Sequence, residues 1–442
     1  MVKKLWGGRF TKNTDPLVEE FTKSIDYDYK LAKYDLLGSL LHVSVLKSSG
    51  FITGIEAKKL THALERIYKK VEKNLFKFDK SSEDIHTAIQ NAVEYDIGSL
   101  ALKLHTARSR NDQVLLDLKL FCNAELGNIQ GLCVKLMESL QKAAKNVKKT
   151  IIPGYTHMQH AQLIYLADYL KSYIEMLKRD EARISDIKNN IKFTSGAGAL
   201  AGTPIAAKHY KKKIGPINFV PTTNSIDTVS NRDFVIEILS CLSVVGMHLS
   251  RFSEDLIIWS TKEFNFVEID DAFATGSSLM PQKKNADILE LIRGYCGTLY
   301  GNLLNVLTVM KGLPLSYNRD MQLDKEPLFA SIDIVTKELK ILTKLIGKLK
   351  WNKKEIEEKV VGNETLYATD LVYHLVKKGI PFKNAHDIIG KLVTASLKSG
   401  KRIKDMKDKE LHKLSGKLKI SEIKKILNPE VSVKSRISVK RG

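Results

Sequence analysis

The sequence contains few cysteines, which cross-link small folds as disulfides, and few prolines, which are frequent in loop-rich folds. Its 442 residues include only 4 cysteines and 10 prolines. Cys122, Cys133, Cys241 and Cys296 are far apart and form no C-x-x-C pair, which excludes a disulfide scaffold and disfavours a zinc ribbon or a thioredoxin-type site. Scarce proline and ordinary glycine content disfavour a loop-rich all-β chain. An apolar content of 43% is sufficient for a large buried core.

Long apolar runs and targeting signals are also lacking. The longest apolar stretch, residues 234–249, is interrupted by Glu237 and His248, so a buried helix is expected rather than a membrane span. Near the amino terminus, two glycines and Arg9 stand where the apolar part of a signal peptide would follow the first lysines. We therefore expect a reduced, soluble, cytoplasmic protein that is not bound to a membrane.

The charge is strongly positive, with a net value of +21, and it is concentrated near the carboxyl terminus. Residues 397–442 are rich in lysine, which is compatible with a nucleic-acid-binding tail. However, this stretch lacks aromatic residues for base stacking, and its apolar residues follow a helical spacing from Leu411 to Leu427. The sequence therefore favours small amphipathic helices with solvated lysines, and nucleic acid is not an expected partner.

Helical periodicity dominates the chain and predicts an all-α fold. Apolar residues recur at spacings of three and four over residues 114–147, which corresponds to about 50 Å of helix. Residues 166–191, 234–262 and 286–311 show the same pattern. Charged faces exclude membrane spans, and long helices with wide apolar faces need partner helices, so an oligomeric bundle is expected.

Interruptions of the helical pattern suggest three regions. We predict an amino-terminal helical domain over residues 1–110, a central long-helix bundle domain over 111–350, and a lysine-rich helical domain over 351–442. Three polar or glycine-rich stretches interrupt the pattern at residues 105–113, 153–162 and 275–285. Such breaks are where binding and catalytic residues concentrate.

These stretches contain groups suited to an anionic substrate. Arg108, Arg110 and Asn111 can bind carboxylates, whereas Asp112 could instead cap the helix that begins there. The segment Gly276–Asn285 places two lysines near a helix start, which is either an anion site or a solvated basic loop.

Two other patterns are weaker. His157 and His160 lack the spacing that metal-binding helices use, so no metal is expected. His157 follows the helix-breaking pair Pro153-Gly154, so we expect it at the end of a helix. It is either an ordinary surface histidine or an acid–base group. The GAGALA segment at residues 196–201 follows a helical stretch rather than a strand, so a glycine turn is favoured over a dinucleotide site.

Several of these motifs resemble one family over nearly the whole chain. TGSSLMPQKKN at residues 275–285 is similar to the signature loop of the fumarase/aspartase superfamily. The chain is further similar to the argininosuccinate lyases within it, through the segments LWGGRF, SEDIHTAI, LHTARSRNDQV, PGYTHMQHAQ, GLPLSYNRDMQLDKE and ATDLVYHLVKKGIPFKNAH. An adenylosuccinate lyase would be expected to carry H-K-R at residues 282–284.

The resemblance implies a three-domain, all-α, fumarase/aspartase-like fold. Five long helices per chain would form a tetrameric twenty-helix core, with active sites shared between subunits. The implied reaction is the reversible β-elimination of argininosuccinate to L-arginine and fumarate, in arginine biosynthesis, without cofactor or metal. Fixed cationic and N–H donors would stabilise the charge that builds on a carboxylate in the transition state.

The resemblance also implies residue roles. Ser277 would remove the Cβ proton, His157 would assist departure of the leaving group, Lys283 would hold the substrate carboxylate, and Glu290 would orient the histidine. His86 matches a position near the site without a clear role. The remaining matching positions are implied substrate contacts: Ser24, Arg110, Asn111, Thr156, Asn285, Tyr317, Gln322 and Lys325.

The chain departs from the family pattern at a few positions, none of which removes a residue with an implied catalytic role. Ala107 stands where glycine is usual, His160 where arginine is common, and Leu163 and Ala286 where proline is common. The residues that follow the carboxyl-terminal Ser-Val also lack the usual glycine pair. Two alternatives remain: another superfamily lyase such as adenylosuccinate lyase, and a crystallin-like structural protein. The intact Ser277, His157, Lys283 and Glu290 set disfavours the second.

Overall fold

The fold is predominantly α-helical. A computed structural model describes residues 11–215 and 217–438, and 68% of these residues are helical, which confirms the all-α prediction. The LWGGRF motif lies outside the described residues. The shorter helices are α1 (Pro16–Thr22), α2 (Ile25–Asp28), α3 (Ala32–Ser48), α4 (Gly54–Glu72), α5 (Ile85–Ile97), α8 (Ser225–Ser230), α12 (Lys353–Gly362), α13 (Ala368–Lys377), α14 (Phe382–Ser399), α15 (Asp408–His412), α16 (Ile420–Ile426) and α17 (Pro429–Lys434).

The five longest described helices have between 22 and 37 residues. They are α6 (Arg110–Asn146), α7 (Leu166–Asn190), α9 (Asp233–Ser260), α10 (Asp287–Met310) and α11 (Lys325–Ile346). The apolar periodicity over residues 114–147, 166–191, 234–262 and 286–311 agrees with four of them to within a few residues. The sequence reading did not single out α11.

Neighbouring long helices contact each other through rings and small residues. Phe121 of α6 meets Phe329 of α11 with ring centroids 4.8 Å apart, and Tyr173 of α7 meets Phe252 of α9 at 4.7 Å. Gly246 of α9 faces Leu299 of α10, where a Cβ atom would come within 2.3 Å of the leucine side chain. A larger residue at position 246 would therefore push these two helices apart.

The chain divides into two compact units. Unit 1 comprises Met1–Leu132, Asp180–Gly246 and Tyr295–Lys337, and unit 2 comprises Cys133–Arg179, Met247–Gly294 and Glu338–Gly442. Each of the five long helices contributes residues to both units. The three-region division drawn from the sequence stays a prediction.

The strands are short, and all but the β6–β9 pair join segments close in sequence. Antiparallel pairs are formed by β1 (Ile151–Thr156) with β2 (Gln159–Tyr165), β6 (Val267–Glu268) with β9 (Lys350–Trp351), and β7 (Thr275–Gly276) with β8 (Lys284–Asn285). A three-stranded sheet has the order β3 (Phe193–Ser195), β5 (Ile217–Pro221), β4 (Lys212–Ile214). The short 3-10 helices are Tyr29–Leu31, Gly98–His105, Ala207–Tyr210, Asp271–Phe273, Arg319–Asp324, Glu364–Tyr367 and Ile403–Asp405.

The lysine-rich carboxyl-terminal segment has its own apolar core. Leu411, Leu418 and Ile423 are buried with residues of α13 and α14, and Leu414 and Ile420 pack against them. The apolar stripe read from the sequence is therefore the inner face of small amphipathic helices, as predicted, and the lysines lie between its members.

One helix, α9, is long and apolar enough to cross a membrane by length and composition alone. However, 61% of its most apolar window is buried inside the protein. The core helix of a soluble protein has this character, in agreement with the buried helix expected from the sequence. Cys241 lies in it, and the other three cysteines lie in α6 and α10; all four are buried and reduced.

Candidate active site

The amino-terminal end of α6 positions the arginine and asparagine of the HTARSRNDQ segment. Ser109 precedes the helix, and its Oγ accepts the Asn111 N–H at 3.3 Å. Arg110 is held by three partners, with its guanidinium donating to Asp84 Oδ2 at 2.9 Å, Gln113 Oε1 at 2.6 Å and Thr87 Oγ1 at 3.1 Å. A helix amino terminus with a fixed guanidinium is a favourable place for a carboxylate.

Two further segments lie beside Arg110 in unit 1. Ser24 is buried, its N–H donates to the carbonyl of Glu83 at 2.8 Å, and its hydroxyl donates to Asp28 at 2.6 Å. Gln322 donates to the carbonyl of Thr22 at 3.2 Å. Residues 22–28, 83–87 and 317–325 therefore form one continuous surface with the start of α6.

Tyr317 and Lys325 complete this group. Burial raises the pKa of Tyr317, which lies within the fields of Arg232, Asp324 and Asp84. Lys325 is buried and its ammonium contacts Asp324 Oδ1 at 2.9 Å, while the second oxygen of Asp324 pairs with the buried Arg232. Asp324 thus holds both the Lys325 and the Arg232 side chains in place. The sequence did not predict these contacts.

Behind Arg110, a buried charge cluster surrounds His86. Its Nδ1 lies 3.0 Å from Asp35 Oδ1 and 3.3 Å from Asp117 Oδ2. Burial alone would favour the neutral ring, but the hydrogen bonds with Asp117 and Asp35 outweigh it and raise the pKa of His86 to about 10. Burial and the charge of Asp35 raise the pKa of Asp117 to about 7. His86 is therefore a buried cation that holds two carboxylates.

The same cluster is the one place among the described residues where three side chains could ligate a metal ion. The ligand atoms of Asp35, His86 and Asp117 lie within 4.8 Å of one another. However, His86 Nδ1 is shared by both carboxylates, and the half-buried Arg108 guanidinium lies within their field. The three side chains therefore form an internal ion-pair cluster, although His86 Nε2 and both Asp117 carboxylate oxygens have no hydrogen-bond partner among the described residues. The neighbouring cation disfavours a metal.

Asp112 serves a different purpose from the helix cap suggested by its sequence position. Its Oδ2 accepts the N–H groups of Gly196 at 3.2 Å and Gly198 at 3.4 Å, in the glycine segment that follows β3. Burial raises the pKa of Asp112 to about 6, against the opposing effect of these hydrogen bonds. Both glycines have positive φ, of 96° and 59°. The glycine turn predicted from GAGALA is thus anchored on α6.

His157 lies at the tip of a β-hairpin, so the prediction that it lies at the end of a helix was wrong. Thr156 pairs with Gln159, which leaves His157 and Met158 as a two-residue turn with φ values of 55° and 58°. This is the pattern of a type I′ turn, which usually takes Asn-Gly. Left-handed backbone at two side-chain-bearing residues costs roughly 1–2 kcal/mol each. The hairpin therefore presents His157 to solvent at an energetic cost.

The signature loop is closed at its base and exposed at its tip. Thr275 and Gly276 of β7 pair with Asn285 and Lys284 of β8, and the loop between these strands carries Ser277 and Lys283. The Oγ of Ser277 accepts the N–H groups of Leu279 at 3.3 Å and Met280 at 3.1 Å. Two N–H donors on a hydroxyl oxygen stabilise its deprotonated form, which a serine acting as a base requires.

Glu290 follows the loop in the first turn of α10. Its N–H donates to the carbonyl of Ala286 at 3.1 Å, and its carboxylate is exposed. Thr275 also donates its hydroxyl to Asp287 at the helix start. The short pairing of β7 with β8 and this helix end together set the positions of Ser277, Lys283, Asn285 and Glu290.

The structure therefore groups the predicted residues in two sets. Unit 1 brings together the positions implied for substrate contact: Ser24, Arg110, Asn111, Tyr317, Gln322 and Lys325. Unit 2 holds Thr156 and His157 on the hairpin, and Ser277, Lys283, Asn285 and Glu290 on the loop and α10. Among the described residues, no hydrogen bond or ion pair joins the hairpin tip to the loop.

Sequence reasoning did not find the buried partners Asp35, Asp117, Arg232 and Asp324. The sequence signal for a buried partner of this kind is a charged residue at a position where the helical spacing predicts an apolar one. Asp35, for example, lies among buried residues of α3, between Ala32 and Leu36. A charge on an apolar face indicates a buried partner but does not identify it.

Two family models match the chain. A model described as "Lyase" matches residues 8–301, and one described as "Argininosuccinate lyase C-terminal" matches residues 365–434. Among solved structures, EDDS lyase in complex with formate is 25% identical with a TM-score of 0.80, covering 96% of this chain and 86% of that one. A class II fumarase from Schistosoma mansoni is 18% identical with a TM-score of 0.76, covering 91% and 90%, and shows likeness of fold alone.

Curated relatives match over nearly the whole length. An argininosuccinate lyase from Syntrophotalea carbinolica is 46% identical over 439 residues, covering 99% of this chain and 94% of that one. One from Clostridium botulinum (strain Alaska E43 / Type E3) is 48% identical over 415 residues, covering 93% and 89%. The chain is a lyase, and it belongs to the argininosuccinate lyase family.

Proposed function

We propose that this chain catalyses the reversible β-elimination of argininosuccinate to L-arginine and fumarate, as a step of arginine biosynthesis. The observation that carries the proposal is the combination of the signature loop, residues 275–285, with a carboxyl-terminal segment that matches the argininosuccinate lyase model over residues 365–434. The loop supplies the chemistry that superfamily lyases share, and the carboxyl-terminal match assigns the family within them.

In the proposed reaction, Ser277 removes a proton from the substrate carbon next to a carboxylate. The electron pair of the broken C–H bond moves into that carboxylate, which Lys283 and Asn285 hold. The electron pair then moves back to form the carbon–carbon double bond of fumarate as the bond to the arginine nitrogen breaks. His157 donates a proton to the departing nitrogen.

The geometry of the loop supports the role of Ser277. An ordinary serine hydroxyl is a poor base, so its deprotonated form must be stabilised by fixed donors. The N–H groups of Leu279 and Met280 already point at its oxygen. Lys283, on the same loop, would add a positive charge when the loop closes on substrate.

We further propose that Ser24, Arg110, Asn111, Tyr317, Gln322 and Lys325 bind the substrate together with Thr156 and Asn285. Arg110 and Asn111, at the start of α6, are suited to a second carboxylate. Anchoring the part of the substrate that does not react allows its binding energy to orient the reacting carbon. Glu290 would pair with His157 of a different subunit and fix its orientation. No resident cofactor or metal takes part in this scheme.

A homotetramer with shared sites is the proposed assembly. The surface of α10 supports it, because Leu291 and Leu304 are 54% and 65% exposed in the single chain. Gly294, Gly297 and Gly301 on the same helix have no atom near the place of a Cβ. Each mid-helix glycine costs about 1 kcal/mol relative to alanine, so three of them indicate that another helix approaches closely. We place the enzyme in the cytoplasm.

Fumarate formation tests the reaction directly. Purified protein is mixed with argininosuccinate and, separately, with adenylosuccinate, and fumarate is followed by ultraviolet absorbance. We expect fumarate from argininosuccinate only. Fumarate from adenylosuccinate alone would overturn the substrate assignment, and fumarate from neither would favour a structural protein on this fold.

A further inference from the structure

His160, on the strand that follows the catalytic hairpin turn, makes two polar contacts that the proposed reaction does not use. In the hairpin, Tyr155 pairs directly with His160, one step from the His157–Met158 turn. The two side chains contact each other, with ring centroids 4.9 Å apart and the Tyr155 hydroxyl 2.9 Å from His160 Nε2. The histidine therefore lies across the base of the turn.

The other ring nitrogen of His160 is bound by the carboxyl-terminal segment of unit 2. Asn363 Nδ2 lies 2.9 Å from His160 Nδ1. The Oδ1 of Asn363 accepts the N–H of Thr365 at 3.2 Å, which fixes the amide with its nitrogen toward the ring. His160 Nδ1 is therefore the acceptor, and the neutral ring carries its proton on Nε2, toward Tyr155.

Asn363 is itself firmly placed. It ends α12 and caps the 3-10 helix Glu364–Tyr367. A second link runs through Phe264, whose ring lies 5.7 Å from that of Tyr155 and whose carbonyl accepts a hydrogen bond from Lys359 of α12 at 2.7 Å. The two links therefore tie the hairpin to the carboxyl-terminal end of α12, where Lys359 and Asn363 lie.

The need for such links follows from the turn. His157 and Met158 both adopt left-handed backbone that their side chains disfavour, so the turn alone does not hold its shape. A strained conformation persists only where the surroundings fix it. The Tyr155–His160 pair lies one step beyond the Thr156–Gln159 pair that flanks the turn, and its side chains contact groups outside the hairpin.

We propose that His160 is a positioning residue for His157, acting by joining Tyr155 to Asn363 and so holding the hairpin turn in its strained form. The proposal rests on the proposed role of His157 as the proton donor to the leaving group. His160 itself does not touch the substrate. Its loss would misplace the donor and leave the binding residues of unit 1 in place.

The test uses His160→Phe, which keeps a ring and removes both polar contacts, and Tyr155→Phe, which removes one contact and preserves packing. The matched control is His62→Phe, on the exposed face of α4. We expect kcat to fall about 10- to 100-fold in His160→Phe with little change in KM, because small misplacements of a reacting group cost this much. Tyr155→Phe should show a smaller effect of the same kind, and the control none.

Two further measurements separate positioning from general loss of structure. In a His157→Asn background, measured by single turnover, His160→Phe should cause no further loss, because its effect passes through the missing group. Hydrogen exchange of peptides covering residues 151–165 should be faster in His160→Phe than in wild type, with other peptides unchanged. An additive loss of kcat, or unchanged exchange in both variants, would overturn the proposal. Absence of fumarate with the wild-type enzyme would defeat the proposed function, while the exchange measurement would still decide the role of His160.

Discussion

At the residue scale, one position where the chain departs from its family pattern, Ala107, has a strained backbone. Ala107, where the family usually has glycine, has a φ of 53°. Alanine in the left-handed region costs roughly 1–2 kcal/mol that glycine does not. The residue lies directly before Arg108 and close to the start of α6, so this strain is stored beside the end of the helix that we propose binds the substrate.

Ala107→Gly should therefore stabilise the protein. Relief of the strained backbone outweighs the greater freedom of glycine in the unfolded chain, and we expect a gain of about 1 kcal/mol. The matched control is Ala124→Gly, in the middle of α6, which should lose about 1 kcal/mol. Thermal unfolding of both variants checks the prediction, and equal destabilisation by both would contradict it.

Ser277→Ala should abolish turnover while leaving substrate binding measurable. The hydroxyl is assigned to proton removal, whereas most binding groups lie elsewhere. Calorimetric titration with argininosuccinate and the fumarate assay measure the two properties separately. Lost binding with unchanged turnover would contradict the role assigned to Ser277.

Glu338 of α11 is buried, with neither carboxylate oxygen bonded to another described residue. Burial raises its pKa to about 8 from an ordinary value of 4.5. Between these values the unfolded chain is ionised and the folded chain is protonated, so this residue lowers stability progressively as pH rises from about 4.5 to 8. Glu338→Gln removes the titration.

We therefore expect Glu338→Gln to raise the unfolding temperature more at pH 8 than at pH 5, corresponding to a few kcal/mol at most. The exposed Glu357→Gln on α12 is the control and should show no such trend. Melting curves at several pH values give the comparison. A pH-independent difference between Glu338→Gln and wild type would rule out this account.

At the element scale, the sequence predicted the long helices but did not predict which segments pair as strands. The bounds of α6, α7, α9 and α10 follow from apolar spacing because each helix buries one face along its whole length. The β1–β2 hairpin escaped prediction because its turn is His157-Met158 instead of a glycine-containing pair. Its strands are also held by long-range contacts such as that of His160 with Asn363.

Only part of the candidate site could be predicted from the sequence. Motif resemblance identified the loop and the hairpin residues, since both are continuous in sequence. The partners of His86 are Asp35 and Asp117, on two other helices, and no local pattern indicates which distant carboxylates a buried histidine will meet. The grouping of the substrate-contact positions on unit 1 likewise arises from three separate segments.

Met158→Gly should be tolerated, because glycine adopts the positive φ of this turn position without strain. Met158→Val should destabilise the hairpin, because a β-branched residue is the least compatible with that conformation. We expect near-normal kcat for the glycine variant and a clear loss for valine. Assay of kcat, with hydrogen exchange of residues 151–165, tests both, and equal behaviour of the two variants would contradict a strained turn.

At the scale of the whole molecule, the exposed apolar and glycine-rich surface of α10 supports the proposal that the chain works as an oligomer. Such a surface on a monomer would favour association. In the proposed tetramer, His157 and Ser277 at one site come from different chains. The arrangement makes activity a property of the assembly.

Complementation tests this directly. His157→Asn and Ser277→Ala chains should each show at most trace steady-state activity alone, whereas a co-refolded equal mixture should regain activity at up to about a quarter of its sites, the random fraction with both residues intact. Fumarate formation and native mass spectrometry of the mixture give the result. Mixed tetramers without activity would mean that one chain supplies both residues, and active monomers would defeat the shared site.

The four buried cysteines have a consequence for labelling kinetics. Burial raises the pKa of Cys241 to about 12 and that of Cys122 above its ordinary value, so neither thiol forms much thiolate at neutral pH. Cys122 and Cys133 lie in α6, Cys241 in α9 and Cys296 in α10. Alkylation of the native enzyme therefore requires these helices to open first. The rate of thiol modification, read cysteine by cysteine, measures the opening of three core helices without any introduced probe.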